Sequence, residues 1–252
     1  MIMTSDPRSC ILIPARFASS RYPGKPLVPL LGKPMILWVA ELAARAVGQA
    51  HVHVATDDEQ IRDTVEGAGF SALMTGSGAL TGTDRLAEAA RQIDYDIYIN
   101  LQGDEPLVDP EDIRRCIALK SQHPDCIING FTWLGEDEDP SSVNIPKVIT
   151  NEAGFMVYMS RQAVPGFKDP AEAPRRYKKQ VCIYGFSRAE LDAFADFGRK
   201  GALERHEDIE ILRFLELDRR VMMYECSPGS LAVDVEEDVA AVEAEMRRRG
   251  LG

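Results

Sequence analysis

The first half of the sequence alternates short apolar runs with amphipathic segments, and this alternation restricts the fold more than any other feature. The apolar runs have the length and flanking turn residues of strands; they are 10–15, 51–56, 71–76 and 96–102. The segments with apolar residues at helical spacing are 35–47, 58–67, 83–92 and 109–120. Such alternation predicts an α/β fold with a mostly parallel, doubly wound sheet.

The ends of these elements predict where a ligand would bind. Ligands of doubly wound sheets lie beyond the carboxyl ends of the strands. The loops after Ala15, Thr56 and Leu101 are therefore expected to share one rim. Asp57, in the second of these loops, is expected to cap the helix at 58–67.

From about residue 127 the pattern changes to β-like runs separated by turns, which predicts a mixed or antiparallel elaboration. These runs are 126–131, 145–150, 155–160 and 181–186. A helix at 203–218, a strand at 221–226 and a closing helix at 235–249 then return the chain to the main domain. The predicted division of the chain is 1–126, 127–200 and 201–252.

Charge and cysteine content exclude several classes of protein. The formal net charge is −11, whereas general nucleic-acid binding requires a basic face. The apolar runs are shorter than the roughly 20 residues that span a bilayer, so no membrane insertion is expected. The five cysteines are odd in number and scattered, without a C-x-x-C pair, which predicts reduced thiols in a cytoplasmic protein.

A cationic loop follows the first strand, in the stretch ILIPARFASSRYPGK at 11–25. Arg16, Arg21 and Lys25 oppose the acidic trend of the whole chain. These cations can surround a polyphosphate, and backbone N–H groups near Gly24 add donors without steric hindrance. The alternative is a solvated surface loop with incidental charges.

Two acidic positions lie at the ends of other apolar runs. In LQGDEP at 101–106, Asp104 follows a predicted central strand and is well placed to bind Mg²⁺, which prefers a few oxygen ligands plus substrate phosphates. Asp234, in LAVDVEED at 231–238, could share that metal ion. The alternatives are a simple turn at Asp104 and Glu105 and a helix N-cap at Asp234.

Eight segments in order make the chain similar to the CMP-Kdo synthetase family, the 3-deoxy-manno-octulosonate cytidylyltransferases. The segments are IPARFASSRYPGKPL, VATDDE, TGTDRLAEA, NLQGDEP, YMSRQAVP, CIYGF, EDIEILR and AVDVEED. The resemblance extends over nearly the full chain. It implies an α/β nucleotidyltransferase sheet with a β-rich dimerisation elaboration, and therefore a homodimer.

The resemblance also implies the reaction. Members of this family activate a 3-deoxy-2-keto sugar acid with CTP, giving a CMP-sugar and pyrophosphate. The anomeric hydroxyl attacks the α-phosphorus in line, and such transfers need mainly positioning and charge neutralisation, which cations and Mg²⁺ provide. The first half of the chain, 1–126, would bind the nucleotide, and 127–200 would bind the sugar and the second subunit.

Residue roles follow from the same resemblance. The CTP-binding residues are Arg16, Arg21, Lys25, Thr81, Gly82, Thr83 and Arg85. The sugar-acid residues are Gln102, Arg161, Gln180, Tyr184, Glu207 and Glu210. The Mg²⁺ ligands are Asp104 and Asp234, which form the catalytic set together with Arg16 and Lys25.

The chain departs from the family pattern mainly in the predicted sugar pocket. Gln180 stands where the family usually has a histidine, and a glutamine cannot carry a charge. The prediction is the same reaction on Kdo or a close relative. The alternatives are a nucleotidyltransferase for a nonulosonic acid or for a sugar 1-phosphate, and a non-catalytic nucleotide-binding relative. A carboxylate fork at Arg161 is needed for an acid and has less purpose for a phosphosugar.

Overall fold

The computed structural model describes residues 7–18, 22–136 and 138–251. The strands are β1 (Ser9–Ala15), β2 (Pro29–Leu30), β3 (Lys33–Pro34), β4 (Val52–Thr56), β5 (Ser71–Met74), β6 (Ile97–Leu101), β7 (Ile127–Trp133), β8 (Lys147–Thr150), β9 (Met156–Ser160), β10 (Lys178–Phe186) and β11 (Val221–Glu225). The α-helices are α1 (Met35–Val47), α2 (Glu59–Gly67), α3 (Gly82–Ala90), α4 (Pro110–Gln122), α5 (Arg188–Asp196), α6 (Ala202–Glu207), α7 (Leu212–Glu216) and α8 (Asp238–Arg248). Within the described ranges, none of these helices combines the length and the apolar composition needed to cross a membrane.

The central sheet is mostly parallel, as the alternation of elements predicts. Its strands follow the order β11-β7-β10-β6-β1-β4-β5. Strands β6, β1, β4 and β5 are mutually parallel, and β11 is parallel to β7. Strand β10 is antiparallel to both of its neighbours, β6 and β7. The two halves of the chain therefore share one sheet.

Strands β8 and β9 form an antiparallel pair that joins the sheet through β10, where Lys147 lies opposite Lys179. The mixed pairing after residue 127 agrees with the change of pattern in the sequence. The three-part division at residues 126 and 200 remains a prediction.

Alternate residues of β1 are buried on opposite faces of the sheet, which is what a doubly wound fold requires. Ile11 and Ile13 pack in the cluster that contains residues of α1, α2 and α4. Cys10 and Leu12 pack in the cluster that contains residues of α3, α5 and α7. Helices therefore cover both faces, and the loops at the carboxyl ends of the strands stay open to a ligand.

The prediction of one helix at 203–218 is wrong, because two short helices, α6 and α7, occupy this region. Asp208 ends α6 in the left-handed conformation, with φ of 50°, and aspartate tolerates that conformation better than most residues. The break brings Glu210 to the start of α3, where its carboxylate accepts hydrogen bonds from the backbone of Gly82 and Thr83.

Two helix starts also differ from the sequence predictions. Asp58, not Asp57, caps α2, since its carboxylate accepts from the backbone N–H groups of Gln60 and Ile61. Helix α8 begins at Asp238, three residues later than the pattern suggests. The Asp238 carboxylate accepts from the N–H groups of Asp234 and Val235, so the preceding residues form a turn.

Candidate active site

A cavity of about 370 Å³ opens at the carboxyl ends of β1 and β6. The last residue of β1, Ala15, and the first of the following loop, Arg16, line it, and the turn after β6 contributes Gln102 and Asp104. The loop after β4 reaches the same place indirectly, because Asp57 pairs with the cavity residue Arg85. The cavity is therefore where the order of strands and loops places a ligand.

Ten of the predicted site residues line this cavity. The lining residues are Arg16, Lys25, Thr81, Gly82, Arg85, Gln102, Asp104, Arg161, Glu210 and Asp234. Thr83, Gln180, Tyr184 and Glu207 do not line it. Arg21 lies outside the described residues.

The cationic loop turns sharply before it reaches the cavity. Gly24 adopts the left-handed conformation with φ of 71°, which glycine accepts without the steric cost of a side chain. Its N–H donates to the carbonyl of Phe17, 2.9 Å away. Lys25 then begins a short 3₁₀-helix, Lys25–Leu27, and its side chain enters the cavity. The turn brings Lys25 back towards the end of β1, where Arg16 is exposed at the cavity edge.

Lys25 lies between the two aspartates predicted as metal ligands. Its Nζ is 2.6 Å from Oδ2 of Asp104 and 4.0 Å from Oδ1 of Asp234. The backbone N–H of Val233 donates to the carbonyl of Asp104 over 3.0 Å, so the two acidic segments are also joined through the main chain. The alternative that Asp234 caps α8 is wrong, because Glu237 holds the N-cap position.

The donor set of the cavity fits Mg²⁺. The ammonium of Lys25 shows that Asp104 and Asp234 can act on one cation from two sides. In the described part of the chain, no group of three or more His, Cys, Asp or Glu residues could hold a metal by itself. Mg²⁺ is usually bound by one or two carboxylates together with substrate phosphates and waters, so a pair of aspartates is sufficient.

The start of α3 forms another wall of the cavity and is held by side chains. Thr81 is the N-cap and accepts from the backbone of Asp84. The Glu210 carboxylate accepts from the N–H of Gly82, the N–H of Thr83 and the hydroxyl of Thr83. Glu210 therefore fixes this wall by neutralising the amino end of the helix.

Buried ion pairs also hold the same helix. Arg85 donates to Asp57 over 3.0 Å and to the hydroxyl of Thr75 over 2.5 Å. Arg213 has a fully buried side chain that forks onto both carboxylate oxygens of Glu204 and also reaches Asp84. Sequence reasoning missed Arg213, although an arginine inside the apolar run ILRFL is a signal of a buried ion pair.

Arg161 and Glu207 brace the region predicted to bind the sugar acid. The guanidinium of Arg161 donates to the backbone carbonyls of Val143, Glu207 and Asp208. Burial raises the pKa of Glu207, but hydrogen bonds from the Arg161 N–H and from Ser160 outweigh burial, and the net effect lowers the pKa. Glu207 is therefore an ionised brace in the wall.

Gln180 and Tyr184 lie together within the sheet. The Gln180 side-chain amide donates to the Tyr184 hydroxyl and to the Asn129 side chain, each over 3.1 Å. Burial raises the pKa of Tyr184 well above its ordinary value, so its hydroxyl stays neutral. Their predicted contact with the sugar acid remains a prediction.

Several lining residues of the cavity were not selected from the sequence, and two of them form an ion pair. Lys200 and Asp208 line the cavity and form an ion pair with 3.1 Å between Nζ and Oδ1. Lys200 precedes Gly201 in a connection with no apolar pattern, and Asp208 lies in the region predicted as one continuous helix. Local patterns therefore gave no reason to select them.

Comparisons with known proteins agree with this geometry. A sequence profile described as cytidylyltransferase matches residues 10–221. The chain is 38% identical to 8-amino-3,8-dideoxy-manno-octulosonate cytidylyltransferase of Shewanella oneidensis, over 92% of this chain and 96% of the relative. A relative of the same description from Shewanella baltica is similar to the same extent.

Solved structures show the same fold. A structure of CMP:2-keto-3-deoxy-manno-octonic acid synthetase complexed with CTP superposes with a TM-score of 0.88 and 34% identity, covering 96% of this chain and 99% of the other. A 4-diphosphocytidyl-2C-methyl-D-erythritol synthase from Anaerococcus prevotii superposes with a TM-score of 0.62 and 13% identity, covering 95% and 99%. The second likeness concerns the fold alone.

Proposed function

Since this chain belongs to the cytidylyltransferase family, we propose that it transfers the cytidylyl group of CTP to a 3-deoxy-2-ulosonic acid, Kdo or a close relative. The products are a CMP-sugar and pyrophosphate. The observation that carries the proposal is the contact of one ammonium, Lys25, with Asp104 and Asp234 inside the cavity at the strand ends. The relatives described above support the choice of CTP and of an octulosonate.

The reaction makes and breaks one bond at phosphorus. The anomeric hydroxyl oxygen of the sugar acid bonds to the α-phosphorus and loses its proton to solvent, and the bond from that phosphorus to the bridging oxygen breaks as pyrophosphate leaves. Arg16 and Lys25 lie at the cavity and would neutralise the triphosphate, with Arg21 as a further predicted partner. Such transfers depend on positioning and on charge neutralisation more than on covalent help from the protein.

Mg²⁺ is the cofactor that we propose, with Asp104 and Asp234 as its protein ligands. A bound Mg²⁺ would offset phosphate charge and lower the pKa of the attacking hydroxyl. The aspartates would meanwhile release Lys25, whose ammonium is then available to the phosphate oxygens.

We place the sugar acid beside Gln102 and Arg161, on the side of the cavity that Glu207 and Glu210 brace. A guanidinium has five N–H groups, and three carbonyls among the described residues use three of those of Arg161. Two N–H groups are therefore left for the carboxylate of the acid, and a planar fork suits a carboxylate. The acids to test first are Kdo and its 8-amino-8-deoxy relative.

We also propose that the protein is a cytoplasmic homodimer. Three apolar side chains between residues 127 and 200 are more than half exposed: Val143, Val157 and Phe167 at 54%, 55% and 52%. Burying them against a second copy would remove apolar surface from water. All five cysteines are free thiols, which suits a reducing compartment. A monomeric mass in solution would contradict the dimer.

A screen of pyrophosphate release tests the function. CTP, ATP and UTP are each offered with Kdo, 8-amino-8-deoxy-Kdo, a nonulosonic acid and a sugar 1-phosphate, in the presence of Mg²⁺. We expect release with CTP and an octulosonate, and a loss of roughly 100-fold or more in Asp104→Ala. Asp125→Ala, an exposed carboxylate outside the cavity, is the matched control and should retain the rate. Release only with a sugar 1-phosphate would contradict the proposal.

A further inference from the structure

Glu105 follows Asp104 directly and is buried, with 7% of its surface exposed. The hydroxyl of Ser230 donates to Oε2 of Glu105 over 2.5 Å. A buried carboxylate is costly unless it is hydrogen-bonded, and no role in catalysis or binding assigned above uses this one. Its partner Ser230 lies four residues before Asp234, so the contact joins the segments that carry the two predicted metal ligands.

The segment that carries Asp234 has no regular structure of its own. Residues 226–234 lie between β11 and α8 without a helix or a strand. Contacts with other elements fix its path: the main-chain bond from the Val233 N–H to the carbonyl of Asp104, and the side-chain contacts of two serines. Ser227 is held by Asp112 at the start of α4, and Ser230 is held by Glu105. Of these two side-chain contacts, the second reaches the turn after β6, where it adds to the main-chain bond between Val233 and Asp104.

We propose that Glu105 is a positioning residue that holds the segment carrying Asp234 against the turn carrying Asp104, and so sets the distance between the two carboxylates that bind the divalent cation. This inference rests on the proposed metal site. Groups that orient metal ligands typically change metal affinity by about 10- to 100-fold when they are removed. Glu105 therefore acts on metal binding through the position of Asp234 relative to Asp104.

The test compares single hydroxyl deletions on the same segment. Ser230→Ala removes the donor to Glu105, and Ser227→Ala removes a hydroxyl that faces Asp112. Glu105→Gln keeps the shape of the side chain and removes its charge. Binding of Mn²⁺ in the presence of CTP is followed by electron paramagnetic resonance, and hydrogen exchange is followed over residues 226–236.

We expect Ser230→Ala and Glu105→Gln each to weaken Mn²⁺ binding about 10-fold and to speed exchange near Asp234. In the double variant, the fold-loss of Mn²⁺ affinity should be smaller than the product of the two single fold-losses, because both substitutions remove the same contact. CTP affinity without metal should stay within about 2-fold, and raising Mg²⁺ should restore pyrophosphate release.

Two results would overturn the inference. Wild-type Mn²⁺ affinity in Ser230→Ala would do so, and so would an equal loss in Ser227→Ala, which would indicate general loosening of the segment. Absence of Mn²⁺ binding in the unsubstituted protein with CTP would instead refute the metal site itself, and the inference with it.

Discussion

Lys25 and Asp104 form an ion pair inside the cavity, with 2.6 Å between Nζ and Oδ2. Both side chains are largely buried, at 16% and 25% exposure, so water screens the pair less than it would at the surface. The same ammonium lies 4.0 Å from Asp234. Lys25 thus occupies the position from which a divalent cation would contact both carboxylates. When CTP binds, the triphosphate offers the Lys25 ammonium an alternative partner.

Lys25→Met should therefore strengthen Mn²⁺ binding to the nucleotide-free protein, by roughly 10-fold if about 1.4 kcal/mol of competition is removed. The same change should weaken CTP binding, since a phosphate contact is lost. Lys200→Met is the matched control, because Lys200 lines the same cavity but pairs with Asp208. Equal Mn²⁺ affinities in the two variants would show that only the net charge of the cavity matters. Isothermal titration measures the affinities for Mn²⁺ and for CTP in both variants and in the unsubstituted protein.

Arg161→Ala should raise the KM for the sugar acid by about 10- to 100-fold and the KM for CTP by much less, since a hydrogen bond to a charged group contributes about 1.5–3 kcal/mol. Arg161→Lys keeps the charge without the planar fork and should recover only part of the loss. Steady-state kinetics with each substrate varied in turn distinguish these effects. Equal increases in both KM values would remove Arg161 from the acceptor site.

Arg213→Met should lower the free energy of unfolding by about 3–5 kcal/mol, because it leaves Glu204 and Asp84 without their partner in a buried site. Arg219→Met, at an exposed arginine six residues further along the chain, should change it by less than about 0.5 kcal/mol. Urea denaturation measures both. A loss below about 1 kcal/mol in Arg213→Met would mean that the two carboxylates are stabilised by other contacts.

His53 predicts a pH dependence of stability. Burial lowers its pKa, with a smaller contribution from the charge of His51, and within the described residues neither ring nitrogen has a hydrogen-bond partner. The unfolded chain then binds the proton more readily, so stability falls as the pH drops below about 6.5 and levels off once the pH is below the pKa in the folded protein. Above about pH 6.5, His53 is neutral in both the folded and the unfolded chain and does not make stability depend on pH.

The measurement is urea denaturation of His53→Leu and of the unsubstituted protein at pH 7.5 and pH 5.5. The loss of stability between the two pH values should be smaller in His53→Leu. His51→Gln serves as the control at an exposed histidine whose ring, like that of His53, contacts Tyr95; it removes only the smaller contribution to the lowered pKa of His53. An identical pH dependence in His53→Leu would show that His53 is not the titrating group.

The sheet could be predicted from the sequence because each strand and helix carries its own periodicity. The rim at Ala15 and Leu101 followed from that order of elements, and the cavity confirms it. Contacts between segments that are far apart in the chain cannot be recognised from any local pattern of the sequence. Asp57 and Asp58 are equally good caps by residue type, and only the pairing of Asp57 with Arg85, 28 residues away, decides between them.

Other details of the site depend on contacts between side chains and remote backbone. The break at Asp208 could not be predicted from the sequence. It is stabilised by the hydrogen bonds that the Glu210 carboxylate accepts from the backbone at the start of α3. The three carbonyl partners of Arg161 could not be predicted from the sequence either, because every residue has a backbone carbonyl. Residue type indicated groups that line the cavity, and tertiary packing determined what each one contacts.

The most direct test of the account is a crystal structure of the protein with CTP and Mn²⁺, in which anomalous scattering locates the metal. We expect the ion to be bound by Asp104 and Asp234, at close to the 2.0–2.1 Å at which Mg²⁺ binds oxygen, with the triphosphate against Arg16 and Lys25. A metal ion bound elsewhere, with Lys25 still paired to Asp104 and the phosphates outside the cavity, would contradict it.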